Sequence, residues 1–135
     1  MQGISELIKV KKLEKSVDER GWFVKMVDEI ETNRFGVIIA STCKPGFVRG
    51  NHYHKITRDW ACVLEGRGLM ALVDVKSGER MEIKMGDDNF VLVEIPPFVS
   101  HGLKNIGEGT LTFVEYSSVP FKEKIKDLHN YPVID

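Results

Sequence analysis

Two of the four histidines in this 135-residue chain stand two apart in "GFVRGNHYHKITRDWACVLEG", Gly46 to Gly66, with an aspartate, Asp59, a few residues behind them. On an extended strand, residues i and i+2 share a face. His52 and His54 would therefore present their imidazoles side by side, roughly 6–7 Å apart along the strand. The segment "KITR" that follows has the length of a hairpin turn or short loop, after which Asp59 can return a carboxylate to the same spot. A third imidazole, His101, comes in "IPPFVSHGLKN", just past a Pro-Pro turn and ahead of an apolar strand. If the two stretches lie on adjacent strands, three imidazoles and a carboxylate converge. Such a set is either a metal site, because neutral imidazole and carboxylate ligate divalent ions, or an acid/base site, because histidine exchanges its proton near neutral pH.

The elements that must position these groups read as strands. "LIKVKKL", "FGVIIAST", "DWACVLEG", "GLMALVDV", "RMEIKM", "FVLVEIP" and "TLTFVEYSS" are short runs rich in Val, Ile, Leu and aromatics, divided by turn signals such as "NRFG", "KPG", "LEGRG", "VKSGE", "MGDD" and "NIGEG". Their spacing predicts an all-β domain, a barrel or sandwich of hairpins. Helical spacing of apolar residues is scarce: "PFKEKIKDLHNYPVID" is expected to supply at most one short turn, and "DEIETNRF" another. A chain of this length forms one domain with one core.

Composition excludes several partners. Lys plus Arg number 19 against 20 Asp plus Glu, so no basic excess announces nucleic acid or an anionic membrane. No window has the apolar length of a membrane span, and the N-terminus has no signal-peptide pattern, so a cytoplasmic protein is expected. Cys43 and Cys62 have no C-x-x-C spacing and read as small buried residues. His129 has no partner in sequence and reads as structural.

The spacing of Gly46, His52, His54, Asp59 and Gly66 resembles the first motif of the cupins, with Asp in place of their Glu. Gly86, Pro96, His101 and Asn105 resemble the second, with Phe98 where glycine is usual. The resemblance covers roughly residues 17–116 and implies a double-stranded β-helix, or jelly-roll barrel. Within the cupins, "DERGWF", "KPGFVRGNHYH" and "IPPFVSHGL" are similar to segments of the nucleotide-sugar 3,5-epimerases, the sugar 3,4-ketoisomerases and the cupin domain of capsular polysaccharide epimerase-reductases, the last of which carries zinc.

The resemblance implies an epimerase or ketoisomerase of a nucleotide-linked 4-keto-6-deoxy sugar in surface-polysaccharide biosynthesis. A base removes a proton beside the carbonyl and returns it through an enolate, which needs no organic cofactor. His52 or His54 is the expected base. By the same resemblance Arg20, Arg49 and His101 bind the substrate, the arginines at its diphosphate, and Tyr116 donates a proton, although by count from His101 Val114 falls closer to that place. A divalent ion, zinc on the nearest precedent, is expected on His52, His54 and His101 with Asp59 as a further ligand. Ligation would compete with proton transfer by His52. The chain is also expected to form a homodimer in which "SELIKVKKL" is exchanged or added to a sheet edge. A different class of function stays open beside these: a metal- or carbohydrate-binding cupin module without turnover.

Overall fold

Runs of Val, Ile and Leu interrupted by glycine fold in the computed structural model into antiparallel strands, and the structure describes residues 2–27 and 36–135. A short helix α1 (Ile4–Leu7) precedes β1 (Lys9–Lys12), β2 (Ser16–Asp18), β3 (Gly21–Phe23), β4 (Val37–Cys43), β5 (Val48–Tyr53) and β6 (Asp59–Glu65). Then follow β7 (Arg67–Asp74), β8 (Arg80–Gly86), β9 (Val91–Ile95), β10 (Val99–Asn105), β11 (Leu111–Ser117), a helix α2 (Phe121–Lys126) and the two-residue strand β12 (His129–Asn130). One sheet has the order β1-β9-β6-β11-β4 and the other β12-β5-β10-β7-β8, while β2 and β3 form a separate hairpin. The core lies between the two sheets, with Val63, Val93 and Leu111 from one wall meeting Leu72, Ile83 and Leu103 from the other. This is the expected jelly-roll barrel. Among the described residues no helix is long and apolar enough to cross a membrane.

Two expectations change. β5 and β6 sit in different sheets, so "KITR" crosses from wall to wall and is no hairpin turn. Three of its four backbone donors are satisfied by one side chain: the Asp127 carboxylate accepts from the N–H groups of Lys55, Ile56 and Thr57 at 2.8, 2.9 and 2.8 Å, while the Arg58 N–H donates to the Ser118 hydroxyl at 3.0 Å. The tail does more than make a turn, since β12 pairs with β5, and Val133 packs on Ala71 and Val73 over the outer face of β7. The strand in "SELIKVKKL" pairs with β9 of its own chain, Lys9 opposite Glu94 and Lys12 opposite Val91. "DEIETNRF" lies outside the described residues.

The feature that matters for function is a β-bulge. Opposite β10, His52 pairs with His101 and Gly50 with Gly102, so Asn51 is the extra residue and the register shifts there. Gly50 has φ +102° and Asn51 φ +63°. In a regular strand Arg49 and His52, an odd number of residues apart, would face opposite sides; the bulge turns both toward the barrel interior. Only glycine suits position 50, because a Cβ there would lie 2.8 Å from the His101 carbonyl oxygen as well as occupying the left-handed region. Gly50→Ala is expected to cost about 1–3 kcal/mol in urea unfolding. Gly46→Ala, where φ is +82° but nothing lies within 4 Å of the added Cβ, should cost less.

Candidate functional site

The interior faces of three strands bring the histidines and the aspartate together. His52 enters from β5, His54 from the residue just after it, His101 from β10 and Asp59 from the start of β6 in the opposite sheet. The ring centroids are 5.2 Å apart for His52 and His54, 5.0 Å for His52 and His101, and 5.8 Å for His54 and His101. One nitrogen from each ring falls within 4.8 Å of the others. The convergence expected from the sequence is thus formed.

Asp59 is buried, 1% exposed. Its Oδ1 accepts from the Ser117 hydroxyl and lies 3.3 Å from the Lys124 ammonium. Oδ2 lies 3.3 Å from His54 Nε2 and 3.6 Å from His101 Nε2. The contact with His54 is not aligned as a hydrogen bond, and Oδ2 and His54 Nε2 remain without a partner. His54 Nδ1 faces the Asp127 carbonyl at 2.7 Å and His101 Nδ1 faces the Val99 carbonyl at 3.2 Å, so each Nδ1 carries a hydrogen. In the neutral rings both Nε2 lone pairs then point toward the carboxylate. Lone pairs opposed across such a gap require a cation between them, a proton or a metal ion.

The charges follow. Burial would raise the Asp59 carboxyl, but His54, Lys124 and His101 outweigh it and hold it below the ordinary range. Burial would lower His54, and the Asp59 carboxylate with the Asp127 carbonyl outweighs it, so His54 is raised. Burial lowers His101. His52 is pushed down to about 3, by burial first and then by the His101 and His54 rings.

Beside this cluster a cavity of about 210 Å³ opens between the sheets, lined by Arg49, His52, His101 and Glu115 among Ala61, Met70, Ile95, Leu103 and Phe113. Arg49 is held by its Nε donating to the Thr42 carbonyl at 3.1 Å. Two expected residues are elsewhere. Arg20 sits on the β2–β3 hairpin, exposed and paired with Asp18, and is not among the residues lining the cavity. Tyr116 points to the outer side of β11, where it packs on Trp60 and its hydroxyl accepts from the Gly36 N–H at 3.1 Å. Strand alternation explains it, since Leu111, Phe113, Glu115 and Ser117 take the inner face. Val114 shares the outer face with Tyr116. Arg58, the neighbour of Asp59, pairs with Glu94 at 2.9 Å instead. The two groups that sequence reasoning missed are Glu115 and Lys124, joined at 2.7 Å. Alternation along "LTFVEYS" was a signal for Glu115, whereas Lys124 in "PFKEKIKD" looks like one more solvated lysine.

Residues 16–129 match the family model of the polysaccharide biosynthesis C-terminal domain. The spore coat polysaccharide biosynthesis protein SpsL of Bacillus subtilis is 33% identical over 132 residues, 93% of this chain and 87% of that protein. Among solved structures, the capsular polysaccharide assembling protein CapF from Staphylococcus aureus is 26% identical with TM-score 0.69, over 90% of this chain. This chain spans only 34% of CapF. The dTDP-4-dehydrorhamnose 3,5-epimerase from Sulfolobus tokodaii is 25% identical with TM-score 0.72, over 86% of this chain and 72% of that one.

Lys124 is the buried cation that balances Asp59 and Glu115. Lys124→Met is therefore expected to destabilise the protein by about 3–5 kcal/mol in urea titrations, the cost of a buried charge left without its partner. Adding Asp59→Asn should recover part of that loss, which a double-mutant cycle reads directly.

Proposed function

The chain belongs to the polysaccharide biosynthesis C-terminal domain family, and on that premise we propose that it is an epimerase or ketoisomerase of a nucleotide-linked 4-keto-6-deoxy sugar. The observation that carries the reading is the convergence of Arg49 and His52 on one cavity, made possible by the bulge at Asn51. The cavity volume, about 210 Å³, is below the roughly 300–1,000 Å³ of sites that enclose a drug-sized ligand. It suits the sugar ring, with the diphosphate left at the Arg49 guanidinium, whose planar donors match phosphate oxygens.

His52 stays unprotonated at neutral pH, since its surroundings push it down to about 3. Its lone pair is thus free to take a proton from the carbon beside the keto group. The imidazolium so formed is favoured by the nearby Asp59 carboxylate. Apolar walls from Met70, Ile95, Leu103 and Phe113 exclude water around the enolate.

The same cluster fits a divalent ion, and zinc suits three imidazoles. His52, His54 and His101 would hold it, with the unpartnered Asp59 Oδ2 as a further ligand. The ion would supply positive charge for an enolate oxygen, and His52 held as a ligand would not be free to accept a proton.

With a thymidine or uridine diphosphate 4-keto-6-deoxy sugar in deuterium oxide, the protein is expected to wash deuterium into the carbon beside the carbonyl. His52→Asn should slow that exchange at least about a hundredfold. Undiminished exchange would exclude His52 as the base, and a wild-type protein that is stabilised by the nucleotide sugar yet exchanges nothing is a binding module. Elemental analysis after purification without chelator or affinity-tag metal decides between the two roles of His52: about one zinc per chain makes it a ligand and leaves the proton transfer to another group. A content far below that, unrestored by added zinc, removes the metal.

A further inference from the structure

We propose that Glu115 is a catalytic residue of the same cavity, the proton carrier of its β11 wall opposite His52 on the β5 wall. The inference rests on the reading above and narrows it to epimerisation. β5 and β11 belong to different sheets, and Glu115 and His52 both line the space between them. The Glu115 side chain is 17% exposed and its Oε1 lies 2.7 Å from the Lys124 ammonium. Among the described residues no donor bonds its Oε2. Its neighbours on the inner face of β11 are Phe113, which is apolar, and Ser117, which is bonded to Asp59 and Lys124. Glu115 is therefore the titratable group that β11 offers to a ligand.

Inverting a carbon beside a carbonyl requires the proton to leave one face and another to arrive at the opposite face. A lone imidazole returns its proton to the face it came from. With two walls, the His52 lone pair takes the proton, the C–H electron pair becomes the C=C of the enolate, and the carbonyl pair moves onto oxygen. Glu115 rests as the carboxylate partner of Lys124 and receives a proton from that ammonium, 2.7 Å away, as the enolate forms. The C=C pair takes its proton on the far face, the carbonyl re-forms, and Glu115 is left as a carboxylate, the state that Lys124 stabilises. Exchange with solvent removes the proton from His52 and restores the one on Lys124, which returns the Glu115–Lys124 ion pair to its resting state. No oxidant or further reactant is consumed.

The test separates exchange from inversion. In deuterium oxide, Glu115→Gln is expected to keep deuterium exchange at the substrate carbon close to the wild-type rate while formation of the epimer falls at least about a hundredfold. The Gln variant leaves Lys124 bonded to Asp59 and Ser117, and its melting curve checks the fold. Glu115→Asp, which keeps the charge beside Lys124, is expected to form epimer at an intermediate rate and serves if the Gln variant does not fold. Epimer formed by Glu115→Gln at the wild-type rate would overturn the assignment, as would loss of exchange and epimer together in a folded variant. A wild-type protein that exchanges nothing sinks the epimerase reading itself, and this assignment with it. An active wild type beside an equally active Gln variant sinks only the role of Glu115.

Discussion

A carboxylate that is 1% exposed can stay ionised inside a barrel only if positive charge and hydrogen-bond donors lie beside it, because an isolated buried charge costs several kcal/mol. Asp59 imposes that condition on much of the molecule. Its Oδ1 draws Ser117 and Lys124, and its Oδ2 draws His54 and His101. Lys124 arrives on α2, whose six residues are far too few to make a helix stable in isolation. The helix is held by what its buried lysine reaches. Burying that ammonium beside a single carboxylate would leave donors unused, and Glu115 takes the remaining one at 2.7 Å.

The second determinant is the backbone around Asn51. Its left-handed φ places its side chain outward, where Nδ2 donates to the Ile134 carbonyl at 2.9 Å and Oδ1 accepts from the Val133 and Ile134 N–H groups at 2.9 and 3.2 Å. The conformation that turns Arg49 inward is thus stabilised by the tail on the outside. Gly102 leaves room for it, since a Cβ there would lie 2.5 Å from Asn51 Oδ1. One residue couples the cavity wall to a segment that touches no part of the cavity. Phe98, also left-handed at φ +65°, stands where the cupin pattern has glycine. Its ring lies against Tyr53 and under the Lys76 ammonium, 4.2 Å away, contacts a glycine could not make.

Most strands were legible from apolar runs and glycine breaks, and the histidine cluster from a spacing of two and a Pro-Pro turn. Those signals are local and periodic. Arg49 became interpretable only through resemblance, because strand alternation alone places it on the face opposite His52 and the bulge leaves no periodic trace. Tyr116 was misplaced for the converse reason: resemblance picked the residue type, while alternation along "LTFVEYS" gives the inner position to Glu115. Arg20 was drawn by the same resemblance, and within this chain it lies on a hairpin, paired with Asp18. Lys124 was illegible because its burial is decided by partners that are remote in sequence, Asp59 among them, and a lysine on a short polar helix is ordinarily solvated.

The partners of the histidine-bearing segment are nearly all late in the chain. Asn51 meets Ile134, His54 meets Asp127 and Asp59 meets Lys124, separations of 83, 73 and 65 residues. A ribosome extending the chain has long since released the imidazoles when it makes the residues that orient them. Both sheets can begin to pair in the meantime, but the polar centre has neither its compensating cation nor its anchoring carbonyl. The reactive cluster therefore acquires its geometry later than the strands that carry it, and a chain ending at Glu123 would lack Lys124, Asp127 and Ile134 and present its histidines without the scaffold that gives them their chemistry.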